Sequence, residues 1–129
     1  DYDSLKAAGS SVGSAAVIVM DETTCMVKTL ERLSRFYMSE SCGQCTPCRE
    51  GTGWLDRVLK RILAGEGRRA DLDLLVDVAS RIEGHTICAL GDAAAWPVQS
   101  FIKHFRHEFE YMIDNGGRSV VLDAERRAA

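Results

Sequence analysis

Long apolar runs are missing from this sequence. The longest, Ala15-Ala16-Val17-Ile18-Val19-Met20, falls far short of the ~18–20 residues a membrane-spanning helix needs, so no direct membrane insertion is expected. An excess of basic charge is missing too. Sixteen Lys and Arg stand against 19 Asp and Glu, giving a net charge of −3 and a pI near 5.6, so no nucleic-acid partner is expected. The first residues have neither the basic stretch nor the apolar core of a secretory leader. There is no GxSxG, HExxH or P-loop, which leaves no hydrolytic constellation in view. There is no GxGxxG either, so nothing visibly cradles a nucleotide. An initiator methionine is also absent: the chain opens on Asp1-Tyr2-Asp3, which reads as a fragment or a processed product.

What is present is an ordinary globular composition. A hydrophobic fraction of 46% and a charged fraction of 27% over 129 residues are enough for one domain with one core.

The chemistry concentrates in cysteine. Cys42, Cys45 and Cys48 form a CxxCxxC run, and Cys88 follows far downstream. Three thiolates in one loop plus a remote fourth are the usual donor set of a 4Fe–4S cluster. Each two-residue gap lets the backbone turn and bring the next sulfur round to another corner of a cubane. The fourth corner then comes from elsewhere in the fold, so the cluster also cross-links distant segments. Structural zinc more often takes two separated CxxC pairs, or pairs completed by histidine. Disulfides call for an oxidising compartment and usually an even cysteine count, whereas this chain has 5. Free thiolates point to a reducing compartment. Two function classes follow: a redox module built on the cluster, or a zinc-stapled interaction module without electron transfer.

The periodicity predicts a mainly α fold, a four-helix bundle with the cluster at one end, preceded by a short strand. Val17-Ile18-Val19 is the strand, and it needs partners outside the bundle because a lone strand cannot bury itself. The first helix starts after a Thr23 or Thr24 cap and carries Val27, Leu30, Leu33, Phe36 and Tyr37. The second follows the cysteine loop with Trp54, Leu55, Val58, Leu59, Ile62 and Leu63, and stops at Gly65 and Gly67. The third runs from near Asp71 to Gly84 with Leu72, Leu75, Val78, Ala79 and Ile82. The fourth begins between Asp92 and Pro97, with Pro97 in its first turn, and carries Phe101, Ile102, Phe105, Phe109, Met112 and Ile113. The boundaries are a junction or strand at 1–22, the helical domain at 23–115, and a polar tail at 116–129. In an up-down-up-down bundle both cysteine loops fall at the same end.

Several neighbours of the cysteines carry two readings. Ser41, Gly43 and Gly51 suit close approach to the sulfurs, or plain turn chemistry. Arg49 could offset cluster charge or simply lie in solvent. Arg57, Lys60, Arg61, Arg68 and Arg69 read as a solvated face, or less readily as a docking patch. Cys25, outside the motif, reads as a small buried hydrophobe. His85 reads as a hydrogen-bonding loop residue, His104 and His107 as surface or packing residues. Trp54 and Trp96 read as lids over the cluster.

Glu40-Ser41-Cys42-Gly43-Gln44-Cys45-Thr46-Pro47-Cys48-Arg49-Glu50-Gly51 resembles the cluster loop of the NADH-binding flavoprotein subunit of respiratory complex I. Ile82-Glu83-Gly84-His85-Thr86-Ile87-Cys88-Ala89-Leu90-Gly91-Asp92, running on through Ala95-Trp96-Pro97-Val98-Gln99, resembles the segment that supplies the fourth ligand. The resemblance spans roughly residues 9–112. Subunits of NAD-linked hydrogenases and formate dehydrogenases share the first motif, while the second favours complex I, the NADH:quinone oxidoreductase.

The resemblance implies an oxidoreductase part with Cys42, Cys45, Cys48 and Cys88 holding the 4Fe–4S cluster. That cluster takes single electrons from reduced FMN and passes them to the next cluster. No catalytic acid, base or nucleophile is implied. It further implies a domain for NADH and FMN in the full-length subunit, followed by a small ubiquitin-like domain whose end is residues 1–22. The implied partners are peripheral-arm subunits, the 2Fe–2S subunit and the large iron–sulfur subunit. The implied location is peripheral, on the cytoplasmic side of a bacterial inner membrane or the matrix side of a mitochondrial one.

Overall fold

The computed structural model describes residues 1–128. The described residues form six helices: α1 (Tyr2–Ala7), α2 (Met26–Glu40), α3 (Thr46–Leu63), α4 (Ala70–Ile82), α5 (Leu90–Asp114) and α6 (Val120–Ala128). Each of α2 to α5 packs on the next, α2 closes the ring on α5, and α3 also touches α5 across the diagonal. This is the expected four-helix bundle.

Its core is the set of apolar positions at helical spacing. Val27 and Leu30 come from α2; Leu55, Val58, Leu59 and Ile62 from α3; Leu72, Leu75, Ala79 and Ile82 from α4; Val98, Ile102, Phe109 and Met112 from α5. All are buried, and burying each large side chain of this kind contributes about 1.5–3 kcal/mol. Cys25 joins this core, as its reading as a small hydrophobe requires. Phe36, expected on the same stripe, is exposed instead.

The expected strand does not form. Residues 16–20 have no secondary structure, and Val17 and Val19 are 84% and 90% exposed. Extended β-branched residues need a second strand to satisfy their backbone groups, and the described residues hold none. Ahead of them the unexpected helix α1 is nucleated by a capping box, in which Asp1 accepts from the Ser4 N–H and Ser4 bonds back to Asp1.

Helix boundaries differ in informative places. Thr23 and Thr24 do not cap α2: their hydroxyls donate to Asp21 Oδ1 at 2.7 and 3.2 Å. The cap comes from across the bundle, where the Glu108 carboxylate on α5 accepts from the Met26 N–H at 3.1 Å in a buried setting. α5 starts at Leu90, two residues before the expected window, which leaves Pro97 in the helix interior; the helix bends further on, at Phe105 (φ −123°, ψ 22°). The polar stretch expected as a tail contains α6, which packs on α5.

The end of the bundle away from the cysteines is closed by backbone on backbone. Gly65, in the α3–α4 turn with φ +81°, lies so near the α5–α6 turn that an added Cβ would fall 2.6 Å from the Gly116 carbonyl oxygen. Only glycine satisfies both the conformation and the contact. Beside it, Arg61 reaches Asp71, and Arg69 reaches Glu110 and Asp114. Much of the basic face is therefore engaged with carboxylates, which fits a solvated, ion-paired surface.

Candidate metal centre

The two cysteine loops lie at the same end of the bundle. The first connects α2 to α3 and the second connects α4 to α5. Between them is a cavity of about 130 Å³ lined by Cys42, Cys45, Cys48 and Cys88, together with Glu40, Ser41, Gln44, Thr86 and Leu90. All four predicted site residues thus meet at one place. All five cysteines are unpaired, and Cys25 is not among those lining the cavity.

The motif is not purely a loop. α3 begins at Thr46 with Cys45 as its N-cap, so Cys48 stands in the first helical turn and is buried. Pro47 sits in that same turn, where its missing N–H costs nothing. Cys88 immediately precedes Ala89, the N-cap of α5. Neither N-cap residue offers a side-chain hydrogen bond. Two helix N-termini therefore flank the cavity, and their partial positive charge favours an anionic occupant by ~0.3–1 kcal/mol each.

Hydrogen bonds hold both loops in place. Ser41 Oγ lies 3.2 Å from Cys48 Sγ, and the Gly43 N–H donates to the same hydroxyl at 3.3 Å. Arg49 does not lie idle in solvent: its guanidinium donates to the Gly43 carbonyl at 2.9 Å and closes the loop from Gly43 to the start of α3. In the second loop the Thr86 hydroxyl donates to the Cys88 carbonyl at 2.9 Å, and the Ile87 N–H donates to Cys45 Sγ at 3.3 Å.

Gly51, Trp54 and Trp96 act differently from their readings as neighbours of the cluster, while the three histidines fit theirs. Gly51 is helical and buried against Ile82, so it serves the α3–α4 contact and not a sulfur. Trp54 and Trp96 are 47% and 48% exposed and are not lids. His85 turns Nδ1 to the Glu83 carbonyl at 2.7 Å and does not line the cavity, while His104 and His107 are exposed. Thr86 and the Ile87 amide were not singled out from the sequence. A hydroxyl two residues before a cysteine was a signal within reach, but a backbone donor aimed at a sulfur 42 residues away has no residue type to announce it.

Four thiols around one cavity, three from the α2–α3 loop and the start of α3 and one from the α4–α5 loop, are a donor set that suits a polynuclear cluster, in which each iron takes its own thiolate.

Residues 28–112 match the family described as the NADH-ubiquinone oxidoreductase-F iron-sulfur binding region. The chain belongs to that family. It is 61% identical over 113 residues to the F subunit of NADH-quinone oxidoreductase from Rickettsia bellii (strain OSU 85-389), covering 88% of this chain and 27% of that protein. It is 59% identical over 120 residues to the F subunit numbered 1 of NADH-quinone oxidoreductase from Rhizobium meliloti (strain 1021), covering 93% and 28%. The chain thus spans little more than a quarter of these curated relatives. Among solved structures, an NAD+-reducing NiFe-hydrogenase in the H2-reduced state aligns with a TM-score of 0.70 and 35% identity, over 74% of this chain and 16% of that one.

Proposed function

We propose that Cys42, Cys45, Cys48 and Cys88 hold a 4Fe–4S cluster. In this reading the chain is the electron-transfer part of the flavoprotein subunit of an NADH-quinone oxidoreductase. The single observation that carries it is the meeting of four free cysteine side chains, drawn from two loops, around one cavity. The higher identity to the quinone oxidoreductase relatives than to the hydrogenase supports the former over the hydrogenase alternative.

A cluster bound here supplies one-electron acceptance and release. The residues of this chain supply position, electrostatics and shelter. The N-termini of α3 and α5 offset negative charge, Ser41 and the Ile87 N–H soften it at the sulfurs, and buried Cys48 sits on the dry side. Cys42 and Cys88 are exposed, which would leave that side of the centre open to electrons entering or leaving. FMN and NADH bind in the full-length subunit, upstream of this domain. The peripheral-arm partners are the 2Fe–2S subunit and the large iron–sulfur subunit, and residues 1–22 join this domain to a ubiquitin-like one. Among the described residues no helix is long and apolar enough to cross a membrane, which fits a peripheral subunit on the cytoplasmic or matrix face.

The test is serine replacement of each of the four cysteines in the full-length subunit, with Cys25→Ala as control. Iron and sulfide content and the electron paramagnetic resonance (EPR) spectrum of the reduced protein are the readouts. Each serine variant should lose or strongly alter the cluster while Cys25→Ala matches the parent. Full iron loading with an unchanged spectrum in Cys88→Ser, or cluster loss in Cys25→Ala, would overturn the assignment. One zinc per chain and no iron would point to the interaction-module reading.

A further inference from the structure

The loop that carries Cys88 has no regular structure of its own, yet it is pinned at both ends. Its entry is held by Glu83, the half-buried residue that ends α4. Both carboxylate oxygens of Glu83 are taken by α5: the Trp96 indole N–H donates to Oε1 at 2.6 Å and the Gln99 amide donates to Oε2 at 2.8 Å. Its exit is held by Asp92, which accepts from the Gly84 N–H at 2.7 Å. Between these anchors, Thr86 donates to the Cys88 carbonyl and the Ile87 N–H reaches Cys45 Sγ.

The chemistry of Glu83 is specific to this task. A carboxylate offers two acceptors side by side and can take N–H donors from successive turns of one helix at once. Glutamine would offer one acceptor and turn its own N–H toward another donor. Alanine would leave both the Trp96 and Gln99 donors without their partner. The side chain does not line the cavity, so any effect it has on the centre passes through the backbone of residues 84–88.

We propose that Glu83 is a positioning residue for Cys88: by tying the end of α4 to Trp96 and Gln99 it fixes the loop that presents this thiol and the Ile87 amide to the centre. The inference rests on the reading of Cys88 as a cluster ligand. It assigns to Trp96 the role of donor to the clasp, in place of the lid the sequence suggested. Hydrogen-bonded residues behind metal ligands typically govern metal affinity by ~10- to 100-fold.

The test uses the full-length subunit in its assembled complex, with Glu83→Gln, Trp96→Phe and, as control, Trp54→Phe. Trp96→Phe removes one N–H and keeps the aromatic ring, so it decides the matter even where Glu83→Gln fails to assemble. Two measurements are made: the rate at which a ferrous chelator strips iron from the reduced protein, and the EPR spectrum of the centre. Glu83→Gln is expected to release iron about tenfold faster than the parent, with shifted g-values. Trp96→Phe should move both readouts in the same direction by less, and Trp54→Phe should move neither. Parental release rates and spectra in both Glu83→Gln and Trp96→Phe would overturn the inference. A lowered melting temperature with those two readouts unchanged would also overturn it, because Glu83 would then be a helix staple alone. Failure of the underlying reading looks different: Cys88→Ser itself would keep the parental iron, spectrum and release rate.

Discussion

The backbone N–H of Ile87 points at the sulfur of Cys45 from 3.3 Å, across 42 residues of sequence. It is a direct bond from the second cysteine loop to a thiol of the first. An N–H···S bond withdraws electron density from the sulfur and favours the more negative, reduced state of a bound cluster. The Ile87 side chain takes no part, being 82% exposed. Ile87→Pro, which deletes the donor, should therefore lower the reduction potential by about 30–60 mV, the equivalent of roughly 0.7–1.4 kcal/mol for one lost bond. Ile87→Ala, which keeps it, should leave the potential at the parental value. An EPR-monitored redox titration of both variants checks the pair.

Gly51 gives a second prediction, on stability. A Cβ at this position would lie 2.7 Å from both Cδ1 and Cγ1 of Ile82. Gly51→Ala gains up to ~1 kcal/mol of helix propensity, but overpacking of this kind costs about 1–3 kcal/mol. Net destabilisation of up to about 2 kcal/mol is expected in chemical denaturation. Ile82→Ala should relieve the clash, so the double variant should be more stable than the sum of the two single changes requires.

Metal and fold should be coupled. A cluster held as proposed would join residues 42–48 to Cys88, and closing a loop of about 40 residues removes unfolded-chain entropy worth roughly 3–4 kcal/mol by analogy with a disulfide. Net stabilities of small domains are only about 5–15 kcal/mol. Without the cluster the helices should persist while residues 40–52 and 84–92 lose protection first. Hydrogen exchange on cluster-loaded and cluster-free protein reads this directly, and equal protection of both segments in the two forms would contradict it.

The bundle and the meeting of the four cysteines were legible in the sequence because both are written in residue type and spacing. Cysteine spacing announced which thiols come together at one cavity, and the stripes of Leu55 to Ile62 and Leu72 to Ile82 announced two of the helices with their buried faces. What sequence periodicity could not supply was tertiary in origin. Thr23 looks like a helix cap until Asp21 captures its hydroxyl and Glu108 caps the helix from another element. Val17-Ile18-Val19 has the composition of a strand, but pairing depends on a neighbour that these residues do not contain. Trp96 has the bulk of a lid, but its indole N–H found a carboxylate and the ring stayed half outside. Aromatic bulk predicts burial only when the polar edge has no better offer at the surface.

The cap that Glu108 places on α2 has a consequence for the order of assembly on the ribosome. α2 leads into the first cysteine loop, yet its opening turn is completed by a side chain 82 residues later in the chain. Hairpins α2–α3 and α4–α5 can each form locally as they emerge, since nearby contacts close quickly. The ring of four closes only when the second half of α5 is free to meet α2. The three-cysteine motif is therefore translated before the residues that complete it. If the four thiols hold a cluster as proposed, Cys42, Cys45 and Cys48 then await both their fourth partner and a fixed scaffold, and iron and sulfide delivered in that interval would meet an unfinished site. Productive loading would then belong after α5 has left the exit tunnel.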